Sequence, residues 1–260
     1  MGDFMSNIKV VTYNIRNVMI GDGINGFIHR EGMAVAKIKK ELPDVVCIQE
    51  GMPEIISALK NALTEYTFII NGRNADFGGE GLCVAFRNAT MELCGLDCFW
   101  HSKTPYIPES KDKESGCPRI CQRAMLKHLE SSKLFTFYNV HLDYLTPEIR
   151  LVQTEELFER IVEADERYKT PFFVLGEFNA RPHEPTIDYF NNKAPLKMND
   201  LTKDFEFTFH GYGNFEKKSK IDYIYYHTGD EYTYTAELWD DEIDGIYLSD
   251  HYPICVNIEF

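Results

Sequence analysis

"FFVLGEFNARP" (residues 172–182) is an apolar run that ends on an acid and a carboxamide. Residues 172–175 have the make-up of a buried strand, and Gly176-Glu177-Phe178-Asn179 then sets Glu177 and Asn179 two positions apart. Residues two apart on an extended chain point the same way. A core strand therefore delivers two polar groups to one place. Burying a carboxylate without partners costs several kcal/mol, so this ending demands partners.

The same ending recurs along the chain. Residues 8–13 read as a strand that stops at Asn14, and 44–48 as a buried strand that stops at Gln49-Glu50. Residues 134–140 stop at His141, Asp222 lies inside "KIDYIYY", and Asp250-His251 in "LSDHYP" precede the last strand, 254–258. Taken singly, each has an ordinary explanation: a turn residue, a solvated acid, a structural histidine, an Asp222–Lys220 ion pair, a cap. Taken together, they predict strands converging on one polar site, where a rigid scaffold meets its loops.

Helical stretches separate these strands. Residues 31–41 read as a helix halted before Pro43, and 53–63 as a helix with Pro53 in its first turn. Thr146 caps a third helix that starts at Pro147, with Ile149, Val152, Phe158, Ile161 and Val162 as its core-facing stripe. Strands at 67–70 and 82–86 flank a polar, glycine-rich loop. This βα alternation is mixed with segments read as β-only, 67–86 and 205–226. A doubly wound sheet would need helices there. The expected architecture is an α/β four-layer sandwich: two mixed sheets face to face, flanked by helices.

With 260 residues, no internal repeat and no linker-like stretch, a single domain over 1–260 is expected. The net charge of −14 and the lack of basic runs beyond "KIKK" (37–40) and "KKSK" (217–220) disfavour avid binding of duplex nucleic acid. A local basic pocket stays compatible with that charge. Seven cysteines, an odd number, read as reduced thiols of a cytoplasmic protein; Cys94/Cys98 and Cys117/Cys121 make only a weak zinc-like spacing. No apolar stretch is long enough for a membrane span, and no leader precedes the first strand. "MGDFMS" at the N-terminus fits a loose myristoylation pattern.

"VVTYNIR", "DVVCIQE", "NVHLD", "GEFNARP", "KIDYIYY" and "SDHYP", in this order across residues 8–258, together resemble the endonuclease/exonuclease/phosphatase superfamily. The resemblance implies the same four-layer sandwich and metal-dependent hydrolysis of a phosphoester. "DGINGFIHR" (22–30), "CPRI" (117–120) and "TFHGYG" (208–213) are further similar to a bacterial subgroup of hydrolases. Magnesium, with manganese as substitute, suits such chemistry because it keeps several waters and takes one or two protein carboxylates. Glu50 is the first-choice ligand. Asn14 is a neutral neighbour for a metal-bound water or a phosphate oxygen, and Asp250 supports the metal or the adjacent histidine. The absence of a histidine- and cysteine-rich ligand set argues against dedicated zinc.

The resemblance also implies two histidines flanking the phosphate, His251 paired with Asp222 and His141 with Glu80. Arg119 is implied as a clamp on phosphate or substrate. Asn179 would donate to a phosphate oxygen while Glu177 orients and deprotonates water. The family's usual acid at this last position is aspartate. The extra methylene of glutamate moves a carboxylate by about 1 Å, and a misplacement of that size costs ~100-fold in rate. Three explanations follow: a natural variant with adjusted backbone, a crippled or engineered enzyme, or a non-catalytic descendant that binds a phosphate ligand or a protein. The acidic surface favours a small phosphodiester or phosphomonoester, or short single-stranded nucleic acid. Phe27, Phe77, Tyr144, Phe178, Phe209 and Tyr212 are candidates to stack on it, with core packing their ordinary use. His210 and Arg181 are further candidate contacts.

Overall fold

The computed structural model describes residues 6–18 and 20–260, so the N-terminal myristoylation pattern, residues 1–5 of it, lies outside the described residues. In chain order the elements are β1 (Asn7–Asn14), α1 (Phe27–Glu41), β2 (Val45–Gly51), α2 (Pro53–Ala62), β3 (Tyr66–Gly72), β4 (Gly81–Arg87), β5 (Met91–Trp100), β6 (Ile120–His128) and β7 (Leu134–His141). They continue with α3 (Pro147–Tyr168), β8 (Phe172–Glu177), α4 (Pro185–Asp188), β9 (Asn199–Asp200), β10 (Asp222–His227), β11 (Thr233–Leu238), β12 (Glu242–Ile243), β13 (Ile246–Tyr247) and β14 (Ile254–Glu259). One six-stranded sheet runs β11-β14-β1-β2-β4-β3 and the other β5-β6-β7-β8-β10-β9. β1 and β2 are parallel, as are β7 and β8; the other pairings within these sheets are antiparallel. Both sheets are therefore mixed.

The period of two in each strand sorts side chains into layers. Val10, Val45 and Val84 of the first sheet face Phe137, Phe173 and Ile224 of the second. Their neighbours Val11 and Val46 face outward, under Ala34 and Ile38 of α1 and Ile55 and Leu59 of α2. On the far side, Tyr138, Val174 and Tyr223 lie under Leu157, Phe158 and Ile161 of α3 and Ile187 of α4. Strands covered on both faces must be apolar throughout, which explains the near-continuous runs at β1, β2 and β8. The result is helix, sheet, sheet, helix: the four-layer α/β sandwich expected.

Local chemistry sets the element ends. Thr146 Oγ1 accepts the Ile149 amide at 3.3 Å and Pro147 opens α3. Ile149, Phe158 and Ile161 of its stripe are buried, and Val152 and Val162 half-buried. α1 starts at Phe27, four residues before the expected Glu31. The segment 205–226 is not β-only. Its regular strand begins at Asp222, and the rest is a loop tied by a bridge between Phe209 and Ser219. Its aromatic residues resemble a strand in composition but pack separately, Phe205 on the inner core, Phe207 on Phe215 and Tyr252, and Phe209 on His251. Among the described residues no helix is long and apolar enough to cross a membrane. The cysteines are free.

Candidate active site

Strand register assembles the centre of the site. β7 and β8 pair His141 with Glu177, and β8 and β10 pair Glu177 with Asp222. Adjacent strands lie about 4.8 Å apart, so the three side chains form a row. Gly176 permits this: its φ is 140°, and a Cβ there would sit 1.9 Å from the Val140 carbonyl oxygen. No other residue fits that approach.

The first sheet supplies Asn14 and Glu50. β1 and β2 pair Asn14 with Gln49, after which β2 is irregular and Glu50 adopts a φ of 58°. Asn179, just past β8, has a φ of 51°. Non-glycine residues in this region are uncommon and cluster at functional sites, where the surroundings hold them. Beneath the site a polar staple fixes the sheets to one another. Gln49 Nε2 donates to Asn139 Oδ1 at 2.7 Å, and Asn139 Nδ2 donates to the Ile48 and Cys83 carbonyls at 3.1 and 3.2 Å.

Asn14 Nδ2 donates to Glu50 Oε1 at 3.1 Å and to Glu177 Oε2 at 2.5 Å, joining the two sheets' acids through one amide. Its Oδ1 accepts the Arg16 amide at 2.8 Å, so Asn14 turns its donor, not its oxygen, toward the acids. Glu50 Oε2 accepts the Asn17 amide at 2.8 Å. Burial and the nearby Glu80 hold the Glu50 carboxyl above its ordinary range. Burial pushes Glu177 up to about 8, with Asp222 and Glu50 adding to the rise and His251 opposing it.

The two histidines sit in contrasting surroundings. His251 Nδ1 lies 2.8 Å from Asp222 Oδ2, which also accepts the Thr208 hydroxyl at 2.5 Å. Burial alone would lower the His251 imidazole, but Asp222 and Glu177 lift it to about 10. His141 Nε2 stands 3.0 Å from Glu177 Oε2, while its Nδ1 is 3.9 Å from Glu80 Oε1, beyond hydrogen-bonding reach. Glu80 instead accepts from Arg73 Nη1 at 2.5 Å, Asn17 Nδ2 at 3.1 Å and Arg119 Nη1 at 3.4 Å. Burial, then Arg119 and Arg73, holds His141 well below its usual value.

Asp250 reaches the same place, with Oδ2 3.6 Å from Arg16 Nη1. Glu50, Glu177, Asn179, Asp250 and His251 line an open cleft of about 460 Å³ together with Tyr144, Phe209, Arg181 and Lys217. Arg119 and Glu80 border a smaller hollow beside His141. Asn179 lines the cleft while its Nδ2 donates to the Leu142 carbonyl at 3.1 Å. Of the stacking candidates, Tyr144 and Phe209 line the cleft. Phe178 is fully buried in the outer core, and Phe77 packs against Trp100. Phe27 and Tyr212 lie beside the buried Arg30. His210 is buried against Tyr252.

Sequence reasoning missed Asn17, Arg73 and Arg16, which hold the acids from loops and from the end of β3. No periodic pattern marks them, although each lies within three residues of a strand end.

Two groups of side chains present ligand atoms close enough to hold a metal ion: Glu50, His141 and Glu177, and Glu177, Asp222 and His251. Neither contains a cysteine. The donor set fits a hard divalent cation: two largely buried carboxylates share a single amide, and burial holds both above the ordinary carboxylate range. A cation would relieve that charge; the carboxylate oxygens suit a hard divalent ion, and each group adds one histidine nitrogen.

The sequence model of the Endonuclease/Exonuclease/phosphatase family matches residues 11–251. Among the curated proteins nothing matches this chain. Among solved structures, an endonuclease/exonuclease/phosphatase from Bacteroides vulgatus is 25% identical, with a TM-score of 0.89 over 98% of this chain and 99% of that one. A functionally unknown conserved protein from Enterococcus faecalis is 28% identical, TM-score 0.86, over 96% and 99%. A mannosyl-6-phosphatase from Bacteroides thetaiotaomicron is 24% identical, TM-score 0.86, over 97% and 100%.

Proposed function

The chain belongs to the endonuclease/exonuclease/phosphatase family, and on that premise we propose that it is a divalent-metal-dependent phosphoesterase, with magnesium its ion and manganese a substitute. The observation that carries the reading is Glu177, shared by both metal-capable groups and placed between His141 and Asp222 on neighbouring strands. Its substrate is a small phosphodiester or phosphomonoester, or a short single strand. The mannosyl-6-phosphatase relative keeps a sugar phosphate among the candidates.

Glu50 and Glu177 would hold the ion, which supplies Lewis-acid polarisation of the phosphate and neutralises developing charge. Glu177 orients the attacking water and receives its proton. His251, fixed by Asp222 and positively charged at neutral pH, pairs with phosphate oxygens. His141, kept neutral, hydrogen-bonds the phosphate or the leaving oxygen. Asn14 spends both amide hydrogens on Glu50 and Glu177 and so positions the acids, Asn179 keeps one amide hydrogen for a phosphate oxygen, and Arg119 adds positive charge beside His141. Water adds to phosphorus as its proton passes to Glu177, the bond to the leaving oxygen breaks, and the departing group takes a proton from solvent.

The test is a panel of phosphomonoesters, phosphodiesters and short oligonucleotides, assayed with magnesium or manganese and with chelator. Metal-dependent turnover that Glu50→Gln abolishes is the expected result. No turnover on any member, with ligand binding untouched by Glu50→Gln, would leave the non-catalytic descendant as the reading.

A further inference from the structure

The cleft is larger than the groups around one phosphate require. At about 460 Å³ it falls within the usual size of a small-molecule site. Four basic side chains line it: Arg16, Arg150, Arg181 and Lys217. Two are already engaged. Arg16 lies 3.2 Å from Asp22 and 3.6 Å from Asp250, and the buried Arg150 binds Glu184 and the Asp143 carbonyl. Arg181 and Lys217 are exposed and have no carboxylate partner among the described residues.

Both cations ride on segments that carry the reaction centre. Arg181 lies two residues beyond Asn179. Lys217 ends the turn Phe215–Lys217 within a loop fastened to His251: Phe209 and Ser219 exchange backbone hydrogen bonds of 2.9 and 3.1 Å, and the Phe209 ring packs edge-on against His251 at 4.9 Å. Tyr144, 57% exposed, offers an aromatic face in the same cleft. In a chain of net charge −14, two unpaired cations converging on one cleft are not a sample of a generally basic surface. The same cleft therefore joins the buried acids that suit a metal to two exposed cations without a carboxylate partner among the described residues.

Resting on the phosphoesterase reading, we propose that Arg181 and Lys217 form a second anion subsite. The preferred substrate is then a small phosphoester bearing a second phosphate or carboxylate on the part that leaves. That second anion takes no part in the reaction. It orients the substrate, and its contacts with two charged donors add to binding.

Phosphate release is compared, with magnesium, for fructose 1,6-bisphosphate against fructose 6-phosphate and for adenosine 3′,5′-bisphosphate against adenosine 5′-monophosphate. At least one bisphosphate is expected to exceed its monophosphate in kcat/KM by about tenfold, the effect of one hydrogen bond to a charged group. In the Arg181→Ala/Lys217→Ala double variant, with an unchanged melting temperature, that ratio is expected to fall toward one. Which pair shows the ratio tells a sugar carrier from a nucleoside carrier. Turnover with no bisphosphate preference, or a double variant that slows both members of a pair equally, overturns the subsite alone. No turnover of any phosphoester with magnesium or manganese removes the phosphoesterase reading and the subsite with it.

Discussion

His141 and His251 are the same side chain, 7% and 5% exposed, facing a common glutamate, yet their surroundings drive them to opposite charge. Burial penalises the imidazolium in both. At His251 the penalty is overcome, because Asp222 lies 2.8 Å from Nδ1 and Glu177 stands near. At His141 it is reinforced, because Arg119, Arg73 and His251 add positive charge, Glu177 at 3.0 Å is shared with Asn14, and the other nearby acid is already committed. Glu80 is 3.9 Å away and bound by Arg73, Arg119 and Asn17. A carboxylate near a histidine therefore says little until its other bonds are counted.

The sharpest way to break this contrast is to remove the partner that His251 has and His141 lacks. Asp222→Asn leaves His251 without its compensating charge. We expect kcat/KM to drop by 10²–10⁴-fold, the range for a lost acid–base partner, with the basic limb of the pH–rate profile moving to lower pH. A loss below tenfold would mean that the charge on His251 does not matter.

Next comes the glutamate between the histidines. Glu177→Gln is expected to cost on the order of 100-fold in turnover, since it removes the proton acceptor while keeping the shape. Glu177→Asp should keep or raise turnover. A large fall with intact folding, read by circular dichroism and single-turnover kinetics, would show that the site is adapted to the longer acid.

Glu80→Gln should have a smaller effect, about two- to fivefold in kcat/KM, because weak partly exposed pairs contribute at most about 1 kcal/mol. A loss matching that of Asp222→Asn would make the two histidines equivalent after all.

The smallest expected effect is on stability. In chelator, Glu177 has a folded pKa of about 8, above the ordinary carboxylate value of 4.5, and His251 one of about 10, above 6.5. Raised folded values mean that the native state holds more protons, so stability is fullest below the unfolded pKa values and is lost as pH rises through the folded ones. Melting temperature should decline by a few degrees from about pH 7 toward pH 10, above the range in which the lowered His141, His101 and His210 contribute the opposite slope. Magnesium should offset the decline increasingly with pH, since it binds the deprotonated acid. A flat or rising metal-free curve contradicts the assignment.

Much of this was legible in the sequence, for a physical reason. Asn14, Glu50, His141, Glu177 and Asp222 stand out because each closes or interrupts an apolar run, and the two-sheet architecture follows from how those runs alternate with helices. β5, β6 and β11 were not legible. β5 has Gly95 and a register shift after Leu93, with its middle exposed. β6 buries Gln122, which donates to the Ile69 carbonyl at 2.9 Å, and β11 alternates exposed and half-buried residues at a sheet edge. Their strand character depends on partners far along the chain. The spacing of Glu80 from His141 was equally hidden, since it depends on Arg73, seven residues back in the same loop, and on Arg119, which reaches the acid from the end of another.

The row of His141, Glu177 and Asp222 is ruled by backbone hydrogen bonds, and this separates two coordinates of the site. Lateral pitch belongs to the ladder, which no side-chain replacement alters, whereas elevation above the sheet belongs to side-chain length. Exchanging glutamate for aspartate raises or lowers one post in a fence whose intervals stay constant. Inserting a single residue in β8 ahead of Gly176 would instead turn Glu177 to the opposite face and leave a gap in the row.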